Sequence, residues 1–362
     1  MSSKSISPVA VAVVAVGATI GLLLLSRRRT KAKNNESSTG GEGEVTYEVL
    51  SRQDASTSNA IIERFTSSSD FASLADREGS AILARDQEDA EKLQKGIDYA
   101  KEKGVIDPKF VPEEYISIDV LGKTPVEVAD MILAKVNEEK KGSIVVLCGL
   151  SGTGKGTTVS TLKTKLESDG SGREVVSWSN GNIFRSVTLL AATWCEQQED
   201  CEGFDKDKAL TKENLASFMG MLEFGKFKDG KYDTCIRGLG LDLLVSEVQN
   251  TELKAPKVSK NIPTVAQVTQ GEVILFAAEA VKKMGDDGIV VLLEGREQTV
   301  NYVRTPLRFI LTLSDGSLIG KRRAAQRIMA AALEDVKESA WPGEIDLALE
   351  GQLKKMVAEG EK

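Results

Sequence analysis

The segment Gly149-Leu150-Ser151-Gly152-Thr153-Gly154-Lys155-Gly156-Thr157 gathers four glycines around one lysine. Glycines let backbone amides curl around an anion without Cβ clashes, and a lysine at this spacing adds a charge for outer phosphates. The chemistry implied is the holding of a nucleoside triphosphate, with ATP as the expected ligand. Where the general loop has Ser or Thr after the lysine, this chain has Gly156, so the hydroxyl for Mg²⁺ is expected from Thr157. Gly149, Ser151, Gly152, Thr153, Gly154, Lys155, Gly156, Thr157 and Thr158 form the expected nucleotide-binding set, with Thr157 as the metal ligand and Lys155 as a catalytic group.

Other chemistries drop out on composition. There is no histidine in the 362 residues, which removes Ser-His-Asp and Cys-His pairs, HExxH zinc sites and imidazole proton shuttles together. Phosphoryl transfer survives this limit, because it works by positioning and by charge from amides, Lys, Arg and a metal ion. The net charge of −7 and pI near 5.2 give no basic footprint, so no nucleic-acid partner is expected. Cys148, Cys195, Cys201 and Cys235 suit a reducing compartment. Cys195 and Cys201 are read either as a redox staple or as lone buried thiols.

The loop needs elements on both sides to hold it, and the sequence supplies them. Ser143 to Cys148 is a short apolar, β-branched run, and the helical spacing of Val159, Leu162 and Leu166 continues to Gly170. Ile289 to Leu293 and Leu307 to Leu313 read as further buried parallel strands. The first of these ends in Glu294-Gly295-Arg296-Glu297, at the strand end where ligands of an open α/β sheet gather. The fold class expected is α/β, a P-loop NTPase with a parallel sheet flanked by helices. Upstream, a helix is expected over Asp86 to Lys103, a strand over Tyr115 to Val120, and a second helix opening at Thr124, where Pro125 and Glu127 complete a capping box.

At the N-terminus, Pro8 to Leu25 is uncharged and is followed by Arg27, Arg28, Arg29, Lys31 and Lys33. Apolar length followed by positive charge reads as an uncleaved transmembrane helix with the rest of the chain on the cytosolic side, at an organelle outer membrane or the endoplasmic reticulum. An organelle-targeting presequence is the other reading. Gly17 and Gly21 give a GxxxG spacing that weakly suggests a dimer. The organisation expected is residues 1–33 as anchor with basic flank, 34–44 as flexible linker, 45–140 as a small α+β or helical accessory region, and 141–362 as the phosphoryl-transfer domain.

With Ser151-Gly152-Thr153-Gly154-Lys155-Gly156-Thr157 in view, the chain resembles the cytidylate kinase family of nucleoside monophosphate kinases. Ser179-Asn180-Gly181-Asn182-Ile183-Phe184-Arg185 is similar to that family's acceptor-holding segment, and Gly295-Arg296-Glu297 to its Gly-Arg-Asp element. The resemblance implies a nucleoside monophosphate as acceptor, CMP or dCMP, held by Asn180, Arg185, Arg296 and Glu297. It also implies Arg296 as a catalytic group and, from the cluster Lys321, Arg322, Arg323 and Arg327, Arg323 as a lid arginine. That cluster reads equally as the polar face of an Ala-rich helix. The family's later lid motif of alternating Arg and Asp is missing. A kinase of another small acceptor, or a membrane-anchored nucleotide-binding scaffold that responds by changing conformation, are the alternative functions.

Overall fold

Eight strands form among the described residues of the computed structural model, which are 45–53, 55–138 and 142–360. They are β1 (Ile116–Asp119), β2 (Ile144–Gly149), β3 (Val175–Trp178), β4 (Leu222–Lys226), β5 (Tyr232–Gly238), β6 (Leu241–Leu244), β7 (Val290–Glu294) and β8 (Arg308–Thr312). Five of them form one sheet in the order β1-β8-β2-β7-β3, and every pairing in it is parallel. The expected α/β sheet is therefore present. β2 lies at its centre, with Leu147 opposite Glu294 on one side and Phe309 on the other.

Alternation along β2 divides the core. Val145 and Leu147 face the layer made by the helices Pro125–Val136 and Lys155–Ser168, where Val128, Ile132, Leu162 and Leu166 are buried. Val146 and Cys148 face the opposite layer, against Val281 and Met284 of the helix Ile262–Asp286. Both faces of β2 are thus covered, as parallel strands require. The Pro125–Val136 helix starts as its sequence dictates. The Thr124 hydroxyl accepts from Glu127 N at 3.2 Å, and Glu127 Oε2 accepts from Thr124 N at 2.7 Å.

Two features depart from the expected organisation. First, β1 comes from the stretch read as an accessory region, yet it pairs with β8 and completes the main sheet. The described residues all fall in one compact unit. Second, β4, β5 and β6 form a separate antiparallel sheet whose Leu222 and Ile236 share a core cluster with Phe218 of the helix Lys212–Gly220 and Leu190 of the helix Asn180–Glu196. Its strands interleave apolar residues with Lys, Asp and Gly, which hides them from a reading by hydrophobic runs.

The helix expected from Asp86 begins at Ser69 and runs for 34 residues to Glu102, about 50 Å of helix. Ser68 caps it by accepting from Phe71 N. Its first half packs on the helix Ser317–Asp335 through a close crossing of Gly79 and Gly320. A Cβ on Gly320 would lie 2.1 Å from the carbonyl oxygen of Ala75, so only glycine fits there. Its second half runs along Ile262–Asp286.

The proposed anchor, Pro8 to Leu25, and the linker lie outside the described residues. No helix among the described residues is long and apolar enough to cross a membrane.

Candidate functional site

β2 delivers the glycine loop at its carboxyl end, and three glycines shape it. Gly149 has φ of 144°, and a Cβ there would stand 2.5 Å from the carbonyl oxygen of Leu311 on the neighbouring strand. Gly152 and Gly154 hold φ of 82° and 84°, the left-handed region that costs other residues energy. Gly154 is also the N-cap of the Lys155–Ser168 helix and offers no side-chain cap. The first-turn amides therefore point outward unpaired by their own helix, with the dipole's positive end behind them.

Lys155 is turned back onto its own loop, donating to the Gly149 and Leu150 carbonyls at 2.9 Å each. Burial of the ammonium, together with the nearby charge of Arg296, pulls its pKa below the ordinary lysine range, against the opposing pull of Glu294 and Asp86. Glu294 closes β7, directly beside β2, and its carboxylate stands 3.6 Å from where a side chain on Gly156 would begin. Gly156 thus leaves open the space between the loop and this acid.

A carboxylate from the long helix reaches the loop. Asp86 is 4% exposed; its Oδ2 accepts from Ser151 N at 2.7 Å and its Oδ1 from Ser151 Oγ at 2.7 Å. Arg296 Nη2 donates to the same carboxylate at 2.8 Å and lies 3.4 Å from Asp89. Arg85 reaches Ser151 Oγ at 3.3 Å. Burial alone would raise the pKa of Asp86. The hydrogen bonds from Arg296 and both donors of Ser151, with the arginine charge, outweigh it and hold the group well below the usual carboxylate range.

Two cavities flank the loop. One, of about 310 Å³, runs from Gly152, Gly154 and Thr157 to Val120, Pro125 and Arg322. The other, of about 450 Å³, lies between the loop, Asp86, Arg296, Glu297 and Leu311. Among the described residues no cluster of three or more acidic or thiol groups could hold a metal ion alone. The donors present, a Thr157 hydroxyl and the Glu294 carboxylate, fit Mg²⁺, which commonly takes its remaining ligands from phosphate and water.

The expected site residues separate on these geometries. Gly149 to Thr157, Thr158, Arg296 and Glu297 meet around the loop. Arg323 is exposed, and its neighbour Arg322 lines the first cavity instead, because one residue rotates a helix face by 100°. Asn180 and Arg185 do not join the loop. The Asn180 side chain accepts from Trp178 Nε1 at 2.8 Å and Arg185 donates to Asn182 Oδ1 at 3.2 Å, while neither lines a cavity beside the loop. Asp86 and Glu294 had no expected role. Glu294 was visible as the charge ending an apolar strand, but Asp86 is one acid among many on a helix surface. The four cysteines are free, so no staple joins Cys195 to Cys201.

A family model described as the Rad17 P-loop domain matches residues 101–240. The match takes in β1, the glycine loop and the Asn180–Glu196 helix, and stops before β7 and β8. No curated protein matches the chain. With the geometry above, the chain carries a P-loop nucleotide-binding domain of the α/β class.

This finding corrects several expectations. The matching family is a clamp-loader-like AAA+ P-loop family, not cytidylate kinase, so the assignment as a nucleoside monophosphate kinase is withdrawn. The glycine loop is common to both families and cannot separate them; of the four expected acceptor residues, Arg296 and Glu297 lie beside the loop, while Asn180 and Arg185 bond locally. The exclusion of nucleic acid rested on net charge, and a match to a family related to DNA-associated clamp loading removes it. The cytosol-facing kinase is corrected as a location because its kinase half falls with the match, while the expected anchor lies outside the described residues.

Proposed function

We propose that the chain binds ATP with Mg²⁺ over Gly149–Thr157 and cleaves or senses its outer phosphate. The observation that carries this is the convergence, at the end of β2, of an uncapped helix N-terminus, Lys155, Arg296 and Glu294. Two cations and outward amides are suited to the charge of a triphosphate, and positioning of this kind is most of what phosphoryl chemistry asks of a protein. In this reading Lys155 leaves its loop carbonyls for the phosphates, and Arg296 joins it. Mg²⁺, held by Thr157 and Glu294 together with phosphate oxygens, would neutralise developing charge.

The cavity beyond Gly152 and Thr157 suits the base. Val120, Pro125 and Val128 supply an apolar floor, while Lys123, Arg322 and Gln326 supply a polar rim. Glu297 is exposed at the mouth of the opposite cavity.

The test is titration of a fluorescent ATP analogue, with phosphate release followed in parallel. Lys155→Ala should weaken binding tenfold or more, on the order of 1.5–3 kcal/mol for lost charge-assisted bonds, and stop release, with the melting temperature retained. Unchanged affinity would remove the loop from the function. Running the assay with and without duplex DNA tests the association that the Rad17 match introduces.

A further inference from the structure

A triphosphate needs the loop's amides, its lysine and any nearby arginine, and in this structure several of these are already taken. The Ser151 N–H is held by the buried Asp86 carboxylate, Arg296 is spent on the same carboxylate, and Lys155 is folded onto the Gly149 and Leu150 carbonyls. A carboxylate oxygen is a fair stand-in for a phosphate oxygen at a backbone amide, and it carries a charge that repels an incoming phosphate. Asp86 belongs to neither flanking element of the loop. It arrives from the Ser69–Glu102 helix, 65 residues earlier in the chain than Ser151.

We propose that Asp86 is an autoinhibitory latch: it occupies the outer rim of the phosphate loop, and a nucleoside triphosphate binds by displacing it. The inference rests on the loop being the triphosphate site. Displacement does two things in one step. It opens the Ser151 amide, and it releases Arg296 to turn its guanidinium from a carboxylate to a phosphate, the group whose geometry it matches equally well. Asp89 stays near Arg296 as a second partner, so the guanidinium is not left alone in the interval. Because Asp86 is rooted in a helix that packs on both Ser317–Asp335 and Ile262–Asp286, its release would reach two further helices.

An alternative role for the same carboxylate gives the opposite result. If Asp86 helped to hold nucleotide, directly or through Mg²⁺, removing its charge would weaken binding. The experiment uses the full chain and two probes, ATP with Mg²⁺ and inorganic tripolyphosphate, measured by calorimetry for wild type, Asp86→Asn and Lys155→Ala. The latch predicts that Asp86→Asn binds both probes more tightly, on the order of tenfold, because one charged competitor is gone. The gain should be equal for the two probes, since the latch faces phosphate and not base. Unchanged or weaker binding by a folded Asp86→Asn overturns the latch. Lys155→Ala reports separately on the loop: if it binds both probes like wild type, the loop itself has been misread. A wild-type structure with tripolyphosphate bound decides the matter without a substitution. Ser151 N–H should then donate to a phosphate oxygen with Asp86 beyond hydrogen-bond distance, and Asp86 still on that amide beside the bound anion would overturn the proposal.

Discussion

Replacing Gly320 with alanine should produce two effects that rarely travel together, lower stability and tighter nucleotide binding. The new Cβ would fall 2.1 Å from the Ala75 carbonyl oxygen and 3.0 Å from the Gly79 nitrogen, both backbone atoms of the long helix. No rotamer relieves such a contact, so the helices must part by more than 1 Å to restore an ordinary separation of roughly 3.4 Å. Overpacking of this kind costs about 1–3 kcal/mol. In a fold of this size that is a fall in melting temperature of roughly 2–5 °C. Asp86 lies seven residues beyond Gly79 on the same helix, about two turns or 10 Å along its axis. A helix pushed outward at the crossing draws Asp86 off Ser151, so ATP affinity should rise while stability falls. Differential scanning calorimetry and titration of a fluorescent ATP analogue on the same preparation read both. Melting within a degree of wild type would refute the steric argument. A destabilised protein with unchanged affinity would refute the mechanical link between crossing and loop.

Two further outcomes follow from groups already described. The pKa of Lys155 is lowered in the nucleotide-free chain, and its protonated form is the one phosphates favour, so ATP affinity should decline as pH rises and begin to do so before the ordinary lysine value of about 10.4. Binding should then take up a proton on the alkaline side, seen as a buffer-dependent heat, and affinity flat to that pH would count against a partly desolvated lysine. Thr124→Ala removes the hydroxyl of a complete capping box and should cost about 1 kcal/mol in urea denaturation, with no change in ATP binding; a loss under a few tenths would show that Glu127 holds the helix start alone.

The parts of the site that follow one another in sequence were legible without coordinates. Strand, glycine loop and helix are local, each set by side-chain period and glycine conformation, and they appear as Ile144–Gly149 and Lys155–Ser168. Thr124, Pro125 and Glu127 spelled out a helix start for the same reason. What failed depended on distance in the chain or on a small angle. Asp86 acts on Ser151 through tertiary packing alone, and its local pattern is that of any solvated helical acid. Arg322 and Arg323 differ by one position, and periodicity from an Ala-rich segment does not fix which of two adjacent arginines faces the loop. The resemblance to a kinase family is overturned by the match to the Rad17 P-loop domain, because a glycine loop common to both families carries no signal that separates them.

The provenance of β1 bears on how this protein can be divided. β8 relies for its outer hydrogen bonds on Ile116–Asp119, a strand that precedes the nucleotide loop in the chain. A fragment starting at residue 142 would retain every residue of the loop and still leave Phe309, Ile310 and Leu311 along a bare, apolar sheet margin, the sort of surface through which chains aggregate. The loop is thus not a portable cassette. Expression boundaries chosen around the glycine motif would yield insoluble material, and any recombination that exchanged the upstream segment would have to bring a matching strand with it.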